Sequence, residues 1–286
     1  MTVGRCVRWK RWSIAPMADV HPMLRGILDA TRTAVEIRRR RIPLPALRQV
    51  VESGCRVRRD FAGALRRPGK LAVIAECKRA SPSAGTFRDH YDPAAIAREY
   101  QRLGAAAVSV LTEERHFGGS LEHLVDVRAA VSLPVLRKDF VIDIYQLYEA
   151  AAVGADAVLL IGSLLDDGML RDLSAASDGL GLAALIEVHT AQDIERAMLL
   201  NARIVGINNR DLNDFTVDVS RAIRLRALIP PEVIAVAESG IDDGASFAAV
   251  RAAGFDAVLI GTHFMRAESI AGAFEELMAP VAGNDR

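Results

Sequence analysis

Charged side chains recur at the ends of short apolar runs along this chain, and four of them are the pieces of an acid–base site. Glu76 and Lys78 end the run LAVIAEC and open the loop after it, Lys138 ends LPVLRKD, and Glu187 ends LAALIEV. On an extended strand Ile74, Glu76 and Lys78 face the same way, which sets a carboxylate beside an ammonium. An isolated buried pair of this kind would be a structural ion pair with a desolvation cost. Four ionisable groups at equivalent strand ends are hard to account for as core packing. Their Coulombic coupling and partial desolvation separate their pKa values, giving one group an acid's role and another a base's. Asn208 and Arg210 end ARIVGINNR in the same way, Glu238 and Ser239 end VIAVAESG, and Gly261 and Thr262 end DAVLIGT. Ser239–Gly240 and Gly261–Thr262 have the composition of anion-binding turns, in which glycine lets backbone N–H groups approach a phosphate and the hydroxyls add donors.

The elements that position these residues follow from the pattern between them. Short strand-like runs, including AAAVSVLTEE and AVLLIG, alternate with amphipathic stretches of helical period about eight times, the pattern of an α/β fold closed as a parallel (β/α)8 barrel. A Gly/Ala-rich phrase precedes every second strand: LGAAAVSV, VGADAVLL, LNARIVGI and AGFDAVLI. The copies recur at intervals of about 50 residues, or two βα units. Gly104, Gly154 and Gly254 stand where helices turn into strands, with Asn201 in that place in the third copy. An open doubly wound sheet shares this local grammar, but it gathers its ligand at one switch point. Here functional residues follow nearly every strand, which favours the closed barrel with all strand ends in one mouth.

The chain's 286 residues, 51% of them hydrophobic, fit one barrel with an N-terminal extension. We expect a disordered leader over 1–16, a helical extension over 17–68 and the barrel over 69–286. In the extension, Leu24, Ile27, Leu28, Ala34 and Ile37 have helical spacing across Pro22 to Arg41, and Pro43 to Val51 reads as a second short helix. The basic run Arg38 to Arg41 is expected to be a solvated helix face. Lys+Arg and Asp+Glu both number 36, so no overall field recruits nucleic acid. Three cysteines, Cys6, Cys55 and Cys77, are too few and scattered for a disulfide framework or a zinc cage, and suggest a reducing compartment, the cytoplasm. The longest apolar runs fall far short of the roughly 20 residues that cross a bilayer, so no membrane partner is expected.

The segments IAECKRASPSAG, SVLTEERHFGGSLEHL, LPVLRKDFVID, LIEVH, GINNRDL, VAESGI and VLIGTHFMR occur here in order, and over Leu71 to Arg266 the chain resembles the indole-3-glycerol phosphate synthases. The resemblance implies a TIM-barrel carboxy-lyase of tryptophan biosynthesis. Such an enzyme closes the indole ring of 1-(2-carboxyphenylamino)-1-deoxyribulose 5-phosphate, releasing carbon dioxide and water, with no metal or organic cofactor. By likeness Lys138 is the general acid and Glu187 the base. Lys78 interacts with the anthranilate carboxylate, Glu76 and Asn208 hold hydroxyl groups, and Ser81 and Arg210 are further carboxylate contacts. Glu238 is placed on a substrate hydroxyl, and Ser239, Gly240, Gly261 and Thr262 hold the phosphate. The likeness also implies a monomer acting on a small phosphorylated substrate, with association with other tryptophan-pathway enzymes a further expectation. Three places depart from the common pattern. Ala84 stands where a lysine is frequent in the first mobile loop, Gly162–Ser163 replaces a more apolar segment, and His263–Phe264 sits where smaller residues are usual.

Other residues carry less. His189, two positions after Glu187, reads as a rim or supporting residue; His116 and His263 lie in mouth loops without metal-ligand spacing. One of Glu113 and Glu114 is expected to anchor the first loop, and Phe117 and Phe140 are candidates for an aromatic pocket. Two rival enzymes share the architecture. A phosphoribosylanthranilate isomerase would need a cysteine–aspartate pair that these strand ends do not offer, and an aldolase would use Lys138 as a Schiff-base nucleophile. A catalytically silent scaffold would have lost a strand-end charge.

Overall fold

The computed structural model describes residues 21–279 except 55, 56, 83 and 213, so the leader expected over 1–16 lies outside the described residues. The first helix, α1 (Pro22–Arg41), begins with proline at its first position, where the missing N–H is no loss. Its buried face is Leu24, Ile27, Leu28, Thr31 and Val35, a period of three and four residues. Ile37 falls off that stripe and is 47% exposed, contrary to the expectation drawn from apolar residues alone. α2 (Leu44–Ser53) follows a proline, and its Leu47 shares a small core with Val35 and Tyr145. α3 (Phe61–Leu65), capped by Asp60, sends Phe61 and Leu65 into the main core.

Eight strands then close a barrel: β1 (Ala72–Cys77), β2 (Ala107–Leu111), β3 (Val135–Lys138), β4 (Ala157–Ile161), β5 (Ala183–Val188), β6 (Ile204–Asn208), β7 (Ile234–Glu238) and β8 (Ala257–Ile260). Every neighbouring pair is parallel, and β8 returns to β1 through Ala72 opposite Ala257. The strands are buried almost throughout, as sheets covered on both faces require. Around them run α4 (Pro93–Arg102), α5 (Leu121–Ala130), α6 (Ile144–Val153), α7 (Asp167–Gly179), α8 (Ala191–Leu199), α9 (Val219–Arg226), α10 (Gly244–Ala252), a short α11 (Thr262–Arg266) and α12 (Ile270–Met278).

Local chemistry explains where these helices begin. Asp92, Ser120, Asp143, Asp166, Thr190, Asp218, Asp243 and Ser269 each accept a backbone N–H of the following first turn, which satisfies donors that the helix leaves open. The repeated phrases before alternate strands have the same physical cause. Gly104, Gly154 and Gly254 take φ of 89°, 90° and 82°, and Asn201, which tolerates the left-handed region, takes 54°. Among the described residues, no helix is long and apolar enough to cross a membrane.

The basic run at the end of α1 is solvated only in part: Arg40 and Arg41 are exposed, whereas Arg38 and Arg39 are half-buried and paired. Arg38 donates to Glu149 on α6 at 2.6 Å and to Glu114 at 3.0 Å, and Arg39 donates to Asp143 at 2.6 Å. Charges from separate elements meet there because α1 lies along α6, an arrangement with no local signature in sequence.

Candidate active site

Glu76, Lys78, Ser81, Lys138, Glu187, Asn208, Arg210, Glu238, Ser239, Gly240, Gly261 and Thr262 all line one cavity of about 980 Å³ at the C-terminal mouth of the barrel. Glu76 Oε1 lies 2.7 Å from Lys78 Nζ, so the alternation on β1 does bring this pair together. Lys78 also donates to Thr262 Oγ1 at 3.1 Å, which ties the first strand's loop to the last. Lys138 Nζ stands 3.8 Å from both Glu187 Oε2 and Glu238 Oε2. Asn208 Oδ1 accepts the backbone N–H of Arg210 at 3.0 Å, fixing its amide, and Arg210 Nη1 donates to the Phe215 carbonyl at 3.0 Å.

Burial and neighbouring charge drive these groups apart electrically. Burial alone would raise the pKa of Glu76, but Lys78, Lys138 and Arg210 overcome it and hold the carboxylate below its usual range. Burial opposes the charge of Lys138, yet Glu187, Glu238 and Glu76 prevail over it and over Arg210, so its pKa is raised and it remains an ammonium. Glu238 goes the other way. Burial and the Glu187 and Glu76 charges outweigh Lys138 and push Glu238 up to about 8. Both Glu238 oxygens are buried without a hydrogen-bond partner from the described residues. The mouth therefore holds one carboxylate kept ionised beside another that gains a proton near neutrality.

Two glycines make room for these carboxylates. A Cβ on Gly206 of β6 would overlap Glu238 Oε1, and one on Gly261 would overlap Glu76 Oε1. Gly206 was not among the residues selected from sequence; a glycine inside a strand signals such a close approach. Ser239 and Gly240 take successive positive φ values of 64° and 73°. Glycine suits that geometry without strain, whereas Ser239 holds it at a cost that functional turns commonly carry.

The walls come partly from outside the barrel. Leu24 and Ile27 of α1 line the cavity, as do Phe117 and Phe140, whose rings lie 6.2 Å apart. The first loop carries a short hairpin of two-residue strands, Ala80–Ser81 against Gly85–Thr86, and Ala84 in the turn between them reaches the cavity. That loop is held without a lysine at position 84. Arg88 donates to the carbonyls of Ala267 and Phe264 at 2.9 and 3.3 Å, and the Phe87 ring has Lys78 Nζ at 5.4 Å and Arg266 Cζ at 5.9 Å from its centroid. Arg266 is a further cavity residue that sequence reasoning passed over.

Glu113 and Glu114 do not anchor the first loop directly. Glu113 accepts backbone N–H groups of Arg115, His116 and Phe117 and so organises its own loop, while Glu114 pairs with Arg38. The first loop meets the second through Ala80 N–H to the Phe117 carbonyl at 3.2 Å. His116 stands beside Glu113 away from the cavity, whereas His263 lines it and contacts the Ala273 carbonyl. Cys77 is buried, and burial raises its thiol pKa, so it offers no thiolate to the mouth.

The chain is similar to known proteins over most of its length. The family model described as indole-3-glycerol phosphate synthase matches residues 24–277. An indole-3-glycerol phosphate synthase of Burkholderia ambifaria is 46% identical over 255 residues, covering 88% of this chain and 96% of the relative. One from Salinibacter ruber is 47% identical over 258 residues, covering 90% and 95% respectively. Among solved structures, a thiamine phosphate pyrophosphorylase from Pyrococcus furiosus aligns with a TM-score of 0.56 at 17% identity, over 77% of this chain and 96% of that one. At that identity the likeness bears on the fold alone.

Proposed function

We propose a division of labour among the mouth residues of this chain, which belongs to the indole-3-glycerol phosphate synthase family and is a carboxy-lyase of tryptophan biosynthesis. Its substrate is 1-(2-carboxyphenylamino)-1-deoxyribulose 5-phosphate. Ring closure joins the aromatic carbon that bears the carboxylate to the ketone carbon, and the ketone oxygen must take a proton as its carbon is attacked. Lys138, kept as an ammonium by its carboxylate neighbours, gives that proton. Loss of carbon dioxide returns an electron pair to the aromatic ring. Glu187 then takes the proton lost from the newly closed ring and passes it to the new hydroxyl, which leaves as water, and Lys138 regains its proton from solvent.

The observation that carries this reading is the placement of Lys138 Nζ at 3.8 Å from the two carboxylates Glu187 and Glu238, with Glu76 and Lys78 on the same cavity. Glu238, with its unpartnered oxygens, binds a substrate hydroxyl, and Glu76 and Asn208 orient the reacting chain. Ser239, Gly240, Gly261 and Thr262 take the phosphate. Arg210 and Ser81 take the anthranilate carboxylate at the other end. Lys78 sits at Thr262, on the phosphate side, so to meet the anthranilate carboxylate it must leave that hydroxyl.

The same reading has the chain acting as a cytoplasmic monomer, with boundaries near residues 17 and 69 for the helical extension and the barrel. Indole fluorescence that grows when purified protein meets the substrate, undiminished by a chelator, is the expected result. Folded protein that makes no product would overturn the assignment, and loss of product on chelation would overturn a mechanism built on side chains alone.

A further inference from the structure

Glu187 presents its two oxygens to different neighbours. Oε2 faces Lys138 Nζ in the cavity at 3.8 Å, whereas Oε1 lies 3.5 Å from Nε2 of His189. The His189 side chain is only 10% exposed, and neither ring nitrogen has a hydrogen-bond partner among the described residues. Leaving a buried donor or acceptor unpaired costs about 1–3 kcal/mol, so an imidazole in this state calls for a partner. Glu187 Oε1 is within reach, since a small rotation of either side chain would bring 3.5 Å into normal hydrogen-bond range. The backbone at His189 is held by other means. The N–H groups of His189 and Thr190 both donate to Asp193 Oδ2, at 3.1 and 3.0 Å, in the cap of α8.

We propose that His189 is a positioning residue for the base. With its proton on Nε2 it donates to Glu187 Oε1, which holds the carboxylate in one rotamer and leaves Oε2 as the oxygen that receives the substrate's proton. No proton leaves His189 in this role, and the residue does not line the cavity, so it acts through Glu187 and not on substrate. The inference rests on the reading of Glu187 as the base.

The test is a double-mutant cycle on the full chain, with kcat and KM measured for His189→Ala and His189→Gln, each alone and combined with Glu187→Gln. His189→Ala should lower kcat about 10-fold or more while KM moves less than about twofold, because an interaction that matters in the transition state contributes mainly to turnover. His189→Gln keeps an N–H donor at similar reach and should recover most of the loss. In the Glu187→Gln background, His189→Ala should change kcat by less than about twofold, since the residue it supports has already lost its function. A His189→Ala enzyme at wild-type kcat, an equal loss in both backgrounds, or no recovery with glutamine would each overturn the positioning role. Near wild-type turnover in Glu187→Gln alone would instead overturn the reading of the base. Should the alanine variant fail to fold, His189→Met, of similar size and without a donor, is judged by the same criteria.

Discussion

Replacing Lys138 by alanine removes the cation that faces Glu187 and Glu238 together, each at 3.8 Å. At an effective dielectric of about 20, each such pair is worth about 4 kcal/mol before desolvation is counted, so the loss is felt by both carboxylates. Glu238, already pushed up to about 8, takes a proton readily and absorbs much of that loss. The fold should therefore survive with a stability decrease nearer about 1–3 kcal/mol than the larger cost of stranding a buried charge. Catalysis has no such relief. A positioned proton donor contributes about 10²- to 10⁴-fold, so kcat should fall by that factor with little change in KM. Steady-state and single-turnover indole fluorescence, beside a thermal melt, separate the two effects. Lys138→Arg sharpens the test, since guanidinium restores the positive charge yet does not give up its proton. It should recover the melting temperature and not the turnover. Unchanged turnover in the alanine variant would move the acid to Lys78, and an arginine enzyme near wild-type rate would leave Lys138 only a field effect.

Three further outcomes follow from the geometry. The folded pKa of Glu238 lies above the unfolded value, so the folded state releases its proton later and stability declines as pH rises from about 4.5 through about 8; Glu238→Gln should flatten that decline, and parallel curves of melting temperature against pH for the two proteins would refute it. Gly206→Ala would press a methyl group onto Glu238 and Leu185, costing about 1–3 kcal/mol and displacing the carboxylate, and an unchanged KM together with an unchanged melt would refute the packing argument. Arg38→Ala removes a 2.6 Å partner from Glu149 and loosens α1, whose Leu24 and Ile27 line the cavity, so KM should rise several-fold with a smaller change in kcat; kinetics at wild-type values would show that α1 is held elsewhere.

The mouth was legible in sequence because a strand's alternation is local. Ile74, Glu76 and Lys78 share a face by the geometry of an extended chain, and the structure finds Glu76 and Lys78 2.7 Å apart. The Gly and Asn before alternate strands were legible for the same reason, since the left-handed turn leaves its mark on residue type. What escaped depends on docking. The stripe carrying Leu24 and Ile27 leaves open whether α1 caps the barrel bottom or borders its mouth, and only docking against strands far along the chain decides for the mouth, where both residues line the cavity. Ile37 is apolar yet exposed because the buried stripe of α1 runs through Thr31 and Val35, a period that residue type alone does not reveal. Gly206 carried a signal, a glycine within an apolar strand, but the carboxylate it accommodates lies on the next strand at Glu238.

The triplet Arg137–Lys138–Asp139 shows how the hidden part governs the visible part. Both cations read alike in sequence, yet Arg137 is fully buried while Lys138 reaches the cavity. Hydrogen-bonding capacity separates them. Arg137 donates from Nε to Thr112 at 3.1 Å, from Nη1 to the Gln146 carbonyl at 2.7 Å, and from Nη2 to Asp139 at 2.9 Å and Glu149 at 3.3 Å. A lysine ammonium, with three donors on one nitrogen, could not span those partners. A register slip of one residue would put Lys138 among them and leave buried acceptors unpaired, so the network selects the register that points Lys138 into the mouth. Glu149 is also the partner of Arg38 on α1. The same buried charges that aim the proposed acid therefore fix the helix that walls its cavity.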